Sequence, residues 1–226
     1  MKRLLTLLLA TTMITSMFAG CGNKADEKPA TDSNQPATET PAVDKSANVK
    51  LEGKVLNWNI GADPKTIDPN LISATDGAHI CNNLFEGLYR EVNEELIPGM
   101  ALNHTEVANE DGTVTYTFNL RDAKWSNGQP VTANDFVFSW RRAVTPATAS
   151  EYGYIFDPIL NAAEIVKGEK DPSELAVKAI DDKTLEVTLK QPTGYFLNLT
   201  AFQSFMPVCE SVVGDNIDGL WASHPE

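Results

Sequence analysis

Few residues of this 226-residue chain have the types and spacing that catalysis requires. A nucleophile needs an adjacent base and a third group that orients that base, and the three histidines, His79, His104 and His224, are scattered. No G-x-S-x-G or H-E-x-x-H motif occurs, nor any glycine-rich loop that would cradle phosphate. Asp181-Asp182 could be imagined as an acid and a base. They sit beside Lys183 between two short apolar runs, however, where a hairpin turn with solvated charge accounts for them. Cys81 and Cys209 could form at most one bridge and build no disulfide framework. No histidine stands at ligand spacing from either cysteine, so no metal site is expected.

The remaining cysteine has a different setting. Lys2 and Arg3 precede an apolar run over residues 4–18 that ends in Ala19-Gly20-Cys21. A charged start, an apolar run and small residues before a cysteine describe a secretory signal; the run falls short of the about 20 apolar residues that a membrane span needs. The segment resembles a bacterial lipoprotein signal, which implies cleavage of residues 1–20 and a thioether-linked lipid on Cys21. Through residue 50 the chain is then rich in Ala, Thr, Pro, Asp, Glu and Lys and nearly devoid of large apolar side chains. Such a stretch cannot bury enough surface to fold. As a flexible coil it would reach on the order of 30 Å, so residues 21–50 are expected to tether a folded domain to a membrane.

Charge narrows the partners. The chain carries 18 basic and 31 acidic residues, a formal net charge of −13. That balance argues against nucleic acid, whose binding depends on cations neutralising phosphates. It argues equally against attraction to anionic headgroups, leaving covalent attachment as the route to a membrane. With 42% hydrophobic residues, the chain beyond residue 50 can build a core.

The elements that would position a site follow from periodicity. Val55, Leu56, Trp58 and Ile60, ending at Gly61, predict a strand over 54–60, with turns at Asp63-Pro64 and Asp68-Pro69. Ile80, Leu84 and Leu88 at four-residue spacing, with Phe85 beside them, predict a helix over 76–89 that carries His79 and Cys81 as packed or surface residues. Residues 113–120 alternate cleanly, with Val114, Tyr116, Phe118 and Leu120 on one face, as in a half-exposed antiparallel strand. Residues 177–180 and 185–189 flank the Asp181-Asp182-Lys183 turn and predict a hairpin. Between these strands lie two expected helices, 132–144 capped by Thr132 with Phe136 and Trp140 on one face, and 158–166 closed by Gly168. The mixture indicates an α+β or α/β fold.

The stretch Trp125-Ser126-Asn127-Gly128-Gln129-Pro130-Val131-Thr132-Ala133-Asn134-Asp135-Phe136-Val137-Phe138-Ser139-Trp140-Arg141-Arg142 resembles the signature of the peptide-binding family of extracellular solute-binding proteins, the receptors of peptide ABC importers. Asp63-Pro64-Lys65-Thr66-Ile67-Asp68-Pro69, Leu84-Phe85-Glu86-Gly87-Leu88-Tyr89 and Val177-Lys178-Ala179-Ile180-Asp181-Asp182-Lys183-Thr184-Leu185-Glu186-Val187-Thr188-Leu189 look like further hallmarks in the same order. The resemblance implies a bilobal periplasmic-binding-protein-like fold of the larger type, with lobes that close on a ligand about a hinge. It implies a first lobe over 51–85, an inserted extra domain over 86–208, and the first lobe resumed over 209–226. Family members continue well beyond this length, so the chain reads as an amino-terminal fragment whose second lobe would follow.

In such receptors an extended oligopeptide bonds through its main chain to protein strands. Ser73-Ala74-Thr75 matches the first-lobe segment that pairs with the ligand, and Tyr152 matches a tyrosine that reaches it from the inserted domain; an ordinary loop and a core position are the competing readings. Trp125 reads as structural, packed over the Asn-Gly turn. The implied partners are an oligopeptide and, for transport and ATP hydrolysis, permease and ATPase subunits; the implied location of this chain is the outer face of the cytoplasmic membrane. No cofactor is implied. The same scaffold carries dipeptides, nickel chelates, haem or oligosaccharides in relatives. A secreted lipoprotein hydrolase is the reading from another class, and it lacks the residues its chemistry needs.

Overall fold

A computed structural model describes residues 57–214, within Leu56–Glu226, the second of two units into which the chain divides. The expected signal segment, Cys21, the tether, residues 54–56 of the first expected strand, residues 215–226 and with them His224 lie outside the described residues. Residues 57–60 are not a strand. A strand exists only with a ladder partner, and no described strand runs beside them.

Helix α1 (Thr75–Leu84) ends five residues short of the expected position, because Phe85 is extended with φ −120° and ψ 164°. Gly87 shows why the chain straightens: a Cβ there would stand 2.5 Å from the Thr200 carbonyl oxygen and 3.0 Å from that of Tyr89. Leu88 is therefore buried at the entry to the next element, while Leu84 is 63% exposed and does not share its face. A hairpin follows, β1 (Tyr89–Val92) and β2 (Glu95–Pro98), turned by Asn93 and Glu94 at φ 53° and 68°. Two positive φ values give the turn whose twist matches a hairpin's strands. Runs of four residues are too short to show a period, so neither strand is expected from the sequence.

Next come β3 (Ala101–Ala108), β4 (Val114–Leu120), α2 (Ala133–Val144), α3 (Ala162–Val166), β5 (Val177–Asp181) and β6 (Thr184–Leu189). Two single-turn helices, α4 (Phe196–Leu199) and α5 (Glu210–Val213), complete the described chain. The last four strands form one antiparallel sheet in the order β3-β4-β6-β5. The expected alternation holds in register: Tyr116 lies opposite Val187 and Phe118 opposite Leu185, all four buried. The other face of β4 carries Thr115, Thr117 and Asn119, which remain partly or fully exposed.

Helix α2 packs across β5 and β6 with Phe136 and Trp140 fully buried. Its start is fixed by Asp135, whose carboxylate accepts from Thr132 N at 2.8 Å and from Thr132 Oγ1 at 3.2 Å. The hairpin tip joins this cap, since Ala133 N donates to the Asp182 carbonyl at 2.9 Å. Asp181 accepts from Lys183 N and Thr184 Oγ1, and these bonds hold its carboxyl below the usual carboxylate range. Charge in a turn, rather than acid and base, is thus the role of this pair. Helix α3 is shorter than the expected 158–166 because Ile159 bridges to Leu189 and Asn161 has φ 73°. Gly168, at φ +76°, closes it by donating to the Ile165 carbonyl at 2.8 Å.

One buried charge pair ties the segment before α1 to α2. Arg142 Nη2 donates to Asp68 Oδ2 at 2.7 Å, and Nη1 donates to Asp68 Oδ1 at 3.0 Å and to Asn70 Oδ1 at 2.9 Å. Cys81 packs nearby and donates to the Ile67 carbonyl at 3.2 Å; burial, then the Asp68 carboxylate, push its thiol up to about 12. Cys81 and Cys209 are both free thiols.

Candidate ligand-binding site

The Asp68–Arg142 clamp fixes where the chain enters α1, and the residues between them form one wall of a cavity. Ser73, Ala74 and Thr75 line it, and Tyr152, more than seventy residues later in the chain, lines it as well. The cavity measures about 290 Å³. All four residues expected from sequence are therefore brought together. Ala74 is extended, at φ −131° and ψ 154°, and the first intrahelical bond of α1 runs from Ala78 N to the Ala74 carbonyl at 3.0 Å. The first N–H groups of a helix have no intrahelical acceptor, so this wall presents main-chain donors beside the extended backbone of Ala74.

The two walls are also joined directly. Ser73 Oγ donates to Glu151 Oε1 at 3.0 Å, which commits the hydroxyl to holding the walls together. Tyr152 is half-buried and stands edge-on to Phe202, with ring centroids 5.2 Å apart. It is not in an alternating segment, since residues 153–156 form a 3-10 turn that buries Phe156 and leaves Tyr154 65% exposed. Core burial is thereby excluded for Tyr152 and Tyr154 alike.

Sequence reasoning missed Ile72, Ala78, His79, Asn82, Phe202 and Gln203, which complete the lining. Thr75, Ala78, His79 and Asn82 recur at helical spacing and form one face of α1, a signal that was present in the sequence. Asn82 is fixed by a bond across the cavity, as Gln203 Nε2 donates to its Oδ1 at 3.0 Å. His79 stacks on Trp58 at 5.6 Å. Nothing local marks Phe202 and Gln203, which arrive through a long-range turn. Trp125 lies elsewhere, as expected: it packs against the core while its main-chain N–H donates to the Gln129 carbonyl at 2.8 Å. Among the described residues no group of His, Cys, Asp and Glu could hold a metal ion.

Comparison with known proteins gives this wall a context. The chain is 42% identical over 189 residues to a probable deoxycholate-binding periplasmic protein of Escherichia coli, covering 82% of this chain and 35% of the relative. It is 43% identical to the periplasmic oligopeptide-binding protein OppA of the same organism, covering 76% and 32%. The structure of Listeria monocytogenes OppA bound to peptide superposes with a TM-score of 0.62 at 45% identity, over 67% of this chain and 30% of that one. The chain thus spans about a third of the length of the curated relatives it matches. A family model for the middle region of bacterial extracellular solute-binding proteins, family 5, matches residues 95–221, a stretch that includes Tyr152, Phe202 and Gln203. The expected resemblance holds, and the chain belongs to the family 5 bacterial extracellular solute-binding proteins.

Proposed function

We propose that this chain supplies one wall of a peptide-capturing site in an ABC-importer receptor that works outside the cytoplasm. The observation that carries the proposal is the meeting of Ser73, Ala74 and Thr75, with Ala74 extended just before α1, and Tyr152 in a single cavity. Extended backbone and the free N–H groups at a helix start can bond a peptide main chain whatever its side chains, while a half-buried tyrosine offers both a ring and a hydroxyl. A relative named for oligopeptides and a structural neighbour solved with peptide support that choice. A rigid sterol acid, the cargo in the name of the other relative, has no main chain to use such a wall. Permease and ATPase subunits are the proposed partners in transport, the first lobe is proposed over 51–85 and 209–226, and the inserted domain over 86–208.

At about 290 Å³ the cavity lies at the lower end of ligand-sized pockets, roughly 300 to 1,000 Å³, and encloses little of a peptide. Weak binding is therefore expected, and it is best followed residue by residue. Titrating trialanine into the isotopically labelled chain should shift the amide signals of Ser73, Ala74, Thr75 and the residues flanking Tyr152. Tyr152→Ala should weaken this binding by about tenfold, the cost of a truncated aromatic contact. Shifts confined to other surfaces, or an affinity indifferent to Tyr152→Ala, would sink the assignment.

Attachment to the membrane is proposed to run through a lipid on Cys21, on the strength of the ordered charged, apolar and small residues before it. Mass spectrometry of the protein purified from native membranes should find Cys21 as a lipid-modified amino terminus. Cys21→Ser should leave the protein unlipidated with an unchanged thermal melt; a start elsewhere, or an unmodified Cys21, refutes the anchor.

A further inference from the structure

Away from the proposed peptide wall, a larger cavity of about 570 Å³ opens on the surface, and it shares no lining residue with that wall. Tyr154 and Tyr195 line it while remaining 65% and 60% exposed, with Val166 and Leu199 as further apolar lining. Ala162 and Ala163 contribute only methyl groups, which leaves the space empty. Neither tyrosine is used by the core: Tyr154 sits in the 3-10 turn after Tyr152, and Tyr195 immediately precedes α4. Neither ring belongs to the described core, and an exposed apolar concavity of ligand size marks a binding surface.

Charge selects the occupant. Two of the lining residues are ionic, and they differ in what they have to spare. Asp157 is occupied, because Lys190 Nζ donates to its Oδ2 at 2.7 Å. Lys167 makes no ion pair with any described residue. In a chain of net charge −13 a cavity whose one uncommitted charge is positive is the exception. We propose that this cavity is a second ligand site, for a small amphipathic anion whose flat apolar body lies against Tyr154 and Tyr195 and whose acid group meets Lys167. The rings of Tyr152 and Tyr154 are 6.2 Å apart, so the two sites adjoin through neighbouring tyrosines.

The test uses 1-pyrenebutyrate and its uncharged counterpart 1-pyrenebutanol, titrated into the full chain and followed by fluorescence. The acid should saturate one site per chain and bind about threefold more tightly than the alcohol, the scale of one exposed ion pair. Lys167→Met should erase that preference by weakening the acid alone. Tyr195→Ser should weaken both probes by about tenfold, as loss of an aromatic contact does, with no change in thermal melt because the ring is largely exposed. Tyr152→Ala should leave both affinities within about twofold, which separates this site from the peptide wall whether or not that wall binds peptide. Absent saturation, an alcohol that binds as well as the acid, indifference to Tyr195→Ser, or loss of binding in Tyr152→Ala alone would each overturn the proposal.

Discussion

Replacing Trp140 by alanine is expected to lower the free energy of unfolding by about 3 to 5 kcal/mol, the range for deleting a buried Trp or Phe ring. The ring is fully buried and stands edge-on to Phe136, Phe156 and Phe205, with centroids 6.2, 6.1 and 5.2 Å away. Two losses combine. The cavity left behind cannot collapse easily, because three of its walls are themselves aromatic rings held by the sheet and by one another; Phe156 and Phe205 stack at 4.0 Å. The indole N–H also donates to the Phe205 carbonyl at 2.8 Å, and its removal leaves a buried acceptor unpaired. For a domain of this size the melting temperature should fall by roughly 2 to 4 °C per kcal/mol. Tyr154→Ala, at a largely exposed ring, should stay within about 0.5 kcal/mol. Urea unfolding of both variants decides the matter: a Trp140→Ala loss below about 1 kcal/mol would mean that the aromatic cluster does not organise this fold.

Trp140 was legible because its neighbours in sequence carry its reason. Phe136 and Trp140 are one helical turn apart, Thr132 and Asp135 form the cap before them, and the resulting stripe predicts both the helix and its buried face. The alternation of β4 and the β5–β6 hairpin were equally readable, since a sheet with one buried face imposes period two on the sequence. Failures fell where a long-range contact overrides local periodicity. Ile80, Leu84 and Leu88 promise one continuous helix, yet the approach of Gly87 to Thr200, over a hundred residues later, ends it. Residues 158–166 promise a longer helix than α3, yet Ile159 is taken by a bridge to Leu189.

The same distinction governs the candidate site. Ser73, Ala74, Thr75 and Tyr152 came from resemblance alone, because nothing in their own spacing distinguishes a ligand wall from a loop. His79 and Asn82 were readable in principle as the continuation of the Thr75 face of α1, but a helix's exposed stripe looks the same whether it borders a cavity or open water. Phe202 and Gln203 could not be found locally, since their place depends on the turn that returns the chain to α1. Glu151 illustrates a third kind of omission. Its bond to Ser73 spans 78 residues and assigns the serine hydroxyl to holding two walls together rather than to a ligand.

Asp68→Ala should be as damaging as the loss of Trp140, by about 3 to 5 kcal/mol, but for an electrostatic reason. Asp68 and Arg142 have side chains 0% and 4% exposed and meet through two bonds of 3.0 and 2.7 Å. Taking both charges out of water is costly, and their geometry offsets that cost; deleting only the carboxylate removes that offset while the guanidinium stays desolvated. Asn70 Oδ1 still accepts from Nη1, but a neutral acceptor replaces only part of an ionised one. Removing both charges separates this account from simple loss of packing. Asp68→Leu combined with Arg142→Met should be less destabilised than Asp68→Ala alone, whereas a double variant that loses the sum of two single variants would refute charge compensation. A local effect should accompany the global one. Asn70 N donates to Asp68 Oδ1 at 2.9 Å, so the carboxylate also shapes the turn that delivers Ser73, Ala74 and Thr75 to the cavity. Hydrogen exchange in Asp68→Ala should therefore speed up at the start of α1 by more than in the β4–β6 ladder. Equal acceleration in both would show that the clamp stabilises the domain as a whole without specifically positioning the wall.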